Sequence, residues 1–560
     1  MELSAPGPRP ALPAPALTLR AVVVVPARDE EERIGASLDR LARQEGLRPE
    51  EYEVIVVLDA CVDGTAAAVA AAAGRWPHLR LHAISGPGRG AGPARAAGME
   101  VACERLERLE GVDAAGVGLI ASTDADSLVA PDWLRRQLEQ VAAGAEAVGG
   151  DIVLDAEEAR SLPAVVLEQR SREMVERVRT AGRRGPAEHA HFAGASLGVT
   201  PGAYRRAGGL GRLAALEDQE FEDRLAAAGV AIHRPSSVRV TTAARTDGRA
   251  ERGLARDLEL GRWLATRRYR GGEFDLADLL AAKRAEIAAI LPSRECAATI
   301  GRTVEALAPL RSAGLLDRLV VVDADSRDGG AEIAAAAGAE VVSESALSPE
   351  LGPCRGKGDA MWRAAAAVEA ETLVFLDADS HDFDSGFLTG LLGPLLLRPG
   401  VELVKGTFER PLAFGGARQD GEGGRVTELV ARPLLNLHFP ALAGFSQPLA
   451  GEIAIRRDLL ARMPVPVGYG VEIAMMIDAL RLRGLDALAE VDLGSRQNSH
   501  QSLRALSLMA AEVMVAVERR IGAPPRPGAP SFRPRPGAGS AVWQLRCEER
   551  PPLADAELVD

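Results

Sequence analysis

The chain has 560 residues, enough for two or more domains. It is 47% hydrophobic and 26% charged, the balance of an ordinary globular protein rather than a disordered or fibrous one. A formal net charge of −13 excludes nucleic acid as a default partner, because a phosphate backbone selects a basic field.

The N-terminus, MELSAPGPRPALPAPALTLR, is rich in Pro and Ala and has no apolar core segment, so residues 1–19 read as a flexible tail without a signal peptide. The most apolar run of the chain, FLTGLLGPLLL, is too short to span a bilayer and contains Gly and Pro. Five cysteines (Cys61, Cys103, Cys296, Cys354, Cys547) are scattered with no CxxC pair, the usage of reduced thiols in a cytoplasm.

AVVVVPARDEEERIGASLDRLARQ (Ala21–Gln44) predicts a buried strand, a Pro-containing turn and an amphipathic helix. YEVIVVLDACVDGTAAAVAAAAG predicts a second strand, an Asp-rich turn and a second helix. GVGLIASTDADS is a third strand that runs into Asp-Ala-Asp-Ser. HAHF, with His189 and His191, follows later, and its histidines read as core or acceptor-facing side chains rather than metal ligands. EDQEFEDRL opens a helix with the acidic pair Glu217–Asp218. A charged, helix-prone stretch over 249–284 reads as a linker.

The same order then restarts. EIAAILPSRECAATIGRTVEAL matches the first segment, LDRLVVVDADSRDGGAEIAAAAGAEVV the second and ETLVFLDADS the third. Strand–helix alternation with apolar strands means βαβ units and a parallel sheet covered on both faces. The chain is therefore expected to be α/β, with two tandem domains of mostly parallel sheet over 20–248 and 285–521, and a Pro/Gly-rich flexible tail over 522–560.

Asp-Ala-Asp-Ser thus ends a strand twice. Side chains alternate along a strand, so Asp124 and Asp126 are expected to converge, and so are Asp377 and Asp379. Two convergent anions repel unless a cation lies between them, and Mg²⁺ (or Mn²⁺) bridging to substrate phosphates is the natural one. The plainer reading is an Asp/Ser turn that caps a helix. Ligands of open α/β sheets bind beyond the carboxyl ends of the strands, where two further turns arrive in each half. One holds Pro26 and Asp29, or Pro292 and Glu295. The other holds Asp59 and Asp63, or Asp323, Asp325, Ser326 and Asp328. Strand-end carboxylates suit the base and ribose of a nucleotide, and the Asp pairs suit its metal-bound diphosphate. A P-loop is absent, since GPCRGKG has the wrong Gly spacing and no Ser/Thr after the Lys.

This set resembles the GT-A fold of nucleotide-sugar glycosyltransferases. The GGxGTR-type turn of sugar nucleotidyltransferases occurs in neither half. From about Glu286 to Ala516 the chain is similar to the glucosyl-3-phosphoglycerate synthases, through RGKGDAMWR, FLDADS, VELVKGTFERPL, GGRVTELVARPLLN, QPLAGEIAIRR and GYGVEIAMMID. The resemblance implies retaining transfer of glucose from a nucleotide-diphosphate glucose to the 2-hydroxyl of 3-phosphoglycerate with a divalent metal. It implies donor contacts at Pro292, Glu295, Asp323, Ser326, Lys357 and Asp377, and metal ligands at Asp377, Asp379 and His500. It implies acceptor contacts at Gly424, Arg425, Val426, Thr427, Tyr469, Gly470 and His500, with Glu472 orienting the acceptor hydroxyl. Residue types agree, because a trianion needs cations and free N–H groups, and Gly423-Gly424-Arg425-Val426-Thr427, just before a helical stretch, offers both. Two departures stand out. Glu295-Cys296-Ala297 replaces the usual Asn-Glu-Glu, and Asn498 occupies the usual His position, leaving His500 two residues on.

Residues from about Arg20 to Thr246 resemble glycosyltransferase family 2 through VVVPARDEEERI, VLDACVDGT, GRGAGPARAAGME, STDADS, FAGASLGVTPGAYRRAGGL and LEDQEFEDRL. This implies donor contacts at Pro26, Asp29, Asp59 and Asp124, metal ligands Asp124 and Asp126, and Asp218 as base, with Glu217 second. The Gln/Arg-xx-Arg-Trp motif of polymer-forming members is missing. The expected partners are a nucleotide-diphosphate sugar and 3-phosphoglycerate, with no nucleic acid and no membrane span. Oligomeric state is left open, a homodimer included. Two alternatives remain: another sugar such as mannose on a related phosphorylated acceptor, or one half serving as a non-catalytic binding or dimerisation module.

Overall fold

The computed structural model describes residues 12–109, 118–182, 185–213, 216–246, 253–409, 412–414, 417–419, 424–496, 502–523, 531–533 and 542–556. The chain divides into two compact units, Met1–Arg262 and Trp263–Asp560.

In the first unit a seven-stranded sheet runs in the order Leu81–Ser85, Tyr52–Leu58, Ala21–Ala27, Leu119–Ser122, Leu197–Val199, Ala147–Gly149, Ile232–His233. The first four strands are parallel, and Leu197–Val199 is antiparallel to both of its neighbours. The unbroken run Val22–Val25 has its physical explanation here. Val23 and Val25 enter one core with the helices Ile34–Ala42 and Trp133–Ala142, while Val22 and Val24 enter another with Ala91–Glu107. Burial on both faces leaves no position for a polar residue, and each fully buried Val contributes roughly 1.5–3 kcal/mol. Helices on both faces leave only the strand ends for chemistry.

The second unit repeats the plan with eight strands. Their order is Arg268–Arg270, Leu488–Ser495, Leu403–Glu409, Ile453–Arg456, Thr372–Phe375, Ile287–Ser293, Arg318–Asp323, Glu340–Ser343. Again one strand, Ile453–Arg456, is antiparallel to both neighbours and sits next to the strand that leads into Asp-Ala-Asp-Ser. The α/β class and the mostly parallel sheets are as expected.

The boundaries differ from the expected ones at three places. Leu19 is buried, and the Pro13 and Ala14 carbonyls accept bonds from Arg105 and Arg80, so the N-terminal stretch is seated on its unit from residue 12 onward. Within the expected linker, Arg268–Arg270 pairs with Leu488–Ser495, and Phe274 and Leu279 enter the second core. The expected C-terminal tail folds back: Glu549–Arg550 pairs with Val465–Pro466, and Leu545 and Cys547 are buried. Scattered Pro and Gly conceal these few apolar anchors in a sequence reading. Among the described residues no helix is long and apolar enough to cross a membrane.

Candidate functional site

In the second unit the parallel register brings Pro292 opposite Val322 and Ser293 opposite Asp323 at one end of the sheet. Glu295 follows with a left-handed φ of 52°, which turns the chain sharply there. Its carboxylate accepts the Arg327 N–H (3.1 Å), and its own N–H donates to Ser326 Oγ (3.0 Å). The Ser326 N–H donates to Asp323 Oδ2 (2.8 Å). Asp323 Oδ1 is buried and has no hydrogen-bond partner among the described residues. Such an acceptor is costly unless a ligand N–H or O–H reaches it.

The strand Thr372–Phe375 stops before Asp377, so strand alternation does not set the two carboxylates. Cations gather them instead. Arg496, fully buried, lies 3.6 Å from Asp377 Oδ2 and 3.5 Å from Asp379 Oδ1, and it also pairs with buried Glu452. Lys357 Nζ lies 2.7 Å from Asp377 Oδ1 and 2.8 Å from Glu472 Oε1. Burial works against the Lys357 charge, but the two carboxylates outweigh it and raise its pKa. A side chain at Gly451 would strike Asp377, since its Cβ would stand 2.2 Å from Oδ1. Asp379 keeps 48% side-chain exposure. Two oxygen donors turned toward one cation, one of them open to solvent, fit a hard divalent ion. Asn498 and His500 lie outside the described residues.

Gly424 (φ 73°) opens the turn that carries Arg425 and Val426 into a π-helical stretch, Thr427–Ala431. Val426 and Thr427 are buried. Tyr469 is exposed, and its N–H donates to Glu512 (2.9 Å). Gly470 leads into the helix Val471–Arg483, whose first turn carries Glu472. Lys357 therefore ties Asp377 to Glu472 on the helix Val471–Arg483.

Lys405 is fully buried nearby and donates to the Ala450 carbonyl. Burial pushes its pKa down to about 7, opposed by Glu472. Above about pH 7 the folded amine is neutral, while the unfolded one stays protonated to about 10.4. Stability should therefore rise with pH through that window and be lowest below it. Lys405→Met is expected to flatten this rise, as a denaturation-midpoint series from about pH 7 to about pH 10 would show.

The first unit has the same plan with different cations. Asp59 Oδ1 and Oδ2 accept the N–H groups of Gly88 (2.6 Å) and Gly90 (2.8 Å). Asp29 (φ 51°) accepts the Val62 N–H at 2.7 Å, and Pro26 stands opposite Val57. Arg95, 2% exposed, bridges Asp124 (2.6 Å) and Glu217 (3.2 Å) and donates to Ser122 Oγ (2.6 Å) and the Gly194 carbonyl (2.9 Å). Arg245 pairs with Asp126 (2.8 Å) and Glu30 (3.0 Å). Burial, then the Asp124 charge, lifts the Asp126 carboxyl to about 6. Asp124 and Asp126 also follow the end of their strand, and separate arginines hold them. Asp218 accepts the Gly194 N–H (3.2 Å) and lies beside Glu217, whose pKa burial raises. His189 is buried and His191 half-buried. Each uses Nδ1 to accept a backbone N–H, from His191 and Ile152 (both 3.1 Å), which engages lone pairs a metal would need.

Each unit thus joins the first Asp of Asp-Ala-Asp-Ser to an acid in the first turn of a later helix through one cation, buried Arg95 in the first unit and half-buried Lys357 in the second. The sequence reading missed Arg95, Arg245, Arg496, Glu452 and Lys405. Three of them left a trace as single charges in otherwise uncharged runs: Arg95 in AGPARAAGM, Lys405 in LVKGTF and Glu452 in PLAGEIAI.

The model of the family "Glycosyl transferase family 2" matches residues 22–196 and 288–409. The glucosyl-3-phosphoglycerate synthase of Mycolicibacterium smegmatis is 43% identical over 262 residues, spanning 47% of this chain and 86% of that protein. A crystal structure of mannosyl-3-phosphoglycerate synthase from Rubrobacter xylanophilus has 42% identity and a TM-score of 0.47, covering 52% of this chain and 97% of that one. Glucosyl-3-phosphoglycerate synthase from Mycobacterium tuberculosis, solved with Mn²⁺, UDP-glucose and phosphoglyceric acid, has 38% identity and a TM-score of 0.46, covering 50% of this chain and 94% of that one. The matched ranges fall in both units and cover more than half of the chain, which belongs to glycosyl transferase family 2.

Proposed function

We propose that the second unit transfers glucose from UDP-glucose to the 2-hydroxyl of 3-phosphoglycerate. The observation that carries this reading is the Lys357 bridge between Asp377 and Glu472, which sets a donor-side carboxylate beside an acceptor-side one. Asp323, Ser326, Glu295 and Pro292 form the nucleotide end, where the buried Asp323 Oδ1 awaits a donor from the base or ribose. Asp377 and Asp379 would hold Mg²⁺ or Mn²⁺, which supplies positive charge for the departing diphosphate. Lys357 adds a fixed cation at the same place, and Glu472, held by Lys357, orients the acceptor hydroxyl. Arg425 and the N–H groups at Gly424–Thr427 receive the acceptor phosphate.

The first unit is proposed to be a second sugar transferase, with Asp218 accepting the proton of an acceptor yet to be assigned. Asp218 suits this better than Glu217, whose charge Arg95 engages.

Calorimetric titration of 3-phosphoglycerate into the full chain, in the presence of UDP and Mg²⁺, tests the acceptor assignment. Saturable binding is expected, weakened about tenfold or more in Arg425→Ala, which removes a charge-assisted contact. Absence of binding by the wild type rejects the assignment. A parallel assay with GDP-mannose in place of UDP-glucose decides the sugar.

A further inference from the structure

The end of the second unit is built into the acceptor side. Arg550 makes two bonds to Asp359 (2.7 and 3.0 Å), a fully buried carboxylate that also accepts the Arg355 N–H (2.9 Å). Trp362 Nε1 donates to the Pro551 carbonyl, and the Val467 N–H to the Glu548 carbonyl, both at 2.9 Å. These bonds seat residues 546–551 against the loops that carry Lys357 and Tyr469.

Glu512 completes the clamp. It is 7% exposed, with one oxygen on the Tyr469 N–H and the other on the Arg546 N–H, both at 2.9 Å. Its helix, Leu503–Arg520, also packs on Thr427–Ala431, so one helix gathers the Gly424–Thr427 turn, Tyr469 and Arg546. Glycines make room for the approach. A Cβ at Gly468 would stand 2.6 Å from the Arg546 carbonyl oxygen, and one at Gly356 would stand 3.3 Å from Arg546 Nη1. The Arg546 guanidinium therefore lies beside the residue that precedes Lys357. Arg546 is exposed, and its guanidinium makes no ion pair with the described residues.

Charge accounting gives this arginine a task. The acceptor is a trianion. Lys357 is engaged by Asp377 and Glu472, Arg496 by Glu452 and the Asp pair, and Lys405 is buried on the Ala450 carbonyl. Of the described residues assigned to the acceptor above, Arg425 is the one remaining cation, a small counter-charge for a phosphate and a carboxylate together. A guanidinium whose backbone is fixed by a buried carboxylate, and whose fork is open, matches an oxyanion.

We propose that Arg546, carried back by the C-terminal segment, is a further acceptor-binding residue that takes the carboxylate or phosphate of the phosphorylated hydroxy acid. This rests on the acceptor assignment above.

Steady-state kinetics of full-length wild type, Arg546→Ala and Arg546→Lys, varying 3-phosphoglycerate and UDP-glucose separately, test it. Arg546→Ala should raise KM for 3-phosphoglycerate about tenfold or more, with KM for UDP-glucose and the thermal midpoint unchanged. Arg546→Lys should fall between the two, because an ammonium keeps the charge and loses the fork. An active wild type with an unchanged acceptor KM in Arg546→Ala overturns this inference alone. A wild type that neither turns over nor binds 3-phosphoglycerate overturns the acceptor assignment, and this inference with it.

Discussion

Asp377→Ala/Asp379→Ala is expected to lower glucosyl transfer to 3-phosphoglycerate by at least about 10²–10³-fold, mainly in kcat. The pair removes both carboxylates that are proposed to hold the metal and the diphosphate. It also releases Lys357 and Arg496 from the carboxylates that position them. Lys357 would still contact Glu472, so the helix Val471–Arg483 keeps its place. The fold should survive for the same reason, because Arg496 retains Glu452. Binding of 3-phosphoglycerate should change little while turnover collapses, a split that gross unfolding would not give. Single-turnover product formation and acceptor titration on the same preparation check both halves of this prediction.

Arg95→Met is expected to be the most destabilising single change in the first unit. Methionine fills similar space but removes a buried charge with four partners: Asp124, Glu217, Ser122 and the Gly194 carbonyl. Breaking one side of a buried pair costs about 3–5 kcal/mol, or on the order of 10 °C in the melting of a unit this size. The sign of its pH dependence follows. Burial already raises the Glu217 pKa with Arg95 present, and losing the guanidinium raises it further. The folded variant then binds a proton that the unfolded chain releases, so the deficit should grow as pH rises above the usual carboxylate range. Melting curves at two pH values check it. A deficit that shrinks with rising pH would mean that the carboxylates find other partners.

Much of this was written in the chain as apolar runs and acidic turns. Val22–Val25 and Leu319–Val322 are continuous because both faces of their strands are buried, and the turns after them could only lie at one sheet end. The acids that open the helices at Glu217 and Val471 were legible as first-turn residues. The reason the Asp pairs converge was not. Strand alternation was the expected cause, yet the strands end at Ser122 and Phe375, before either pair, and distant arginines set the geometry. Arg496 is more than a hundred positions from Asp379, and Arg245 equally far from Asp126, a separation no local pattern encodes. The antiparallel strands Leu197–Val199 and Ile453–Arg456 were hidden for a related reason, since direction is fixed by long-range pairing. The C-terminal segment read as a tail because its anchors, Leu545, Cys547 and Arg550, are few among Pro, Gly and charge.

The most direct test of the central claim is product formation from UDP-glucose and 3-phosphoglycerate with Mg²⁺, comparing wild type with Asp124→Ala/Asp126→Ala. The account predicts glucosyl-3-phosphoglycerate from both proteins at comparable rates, because the second unit holds its own donor and acceptor groups. No product from the wild type, or product lost when only the first unit's pair is removed, would contradict it.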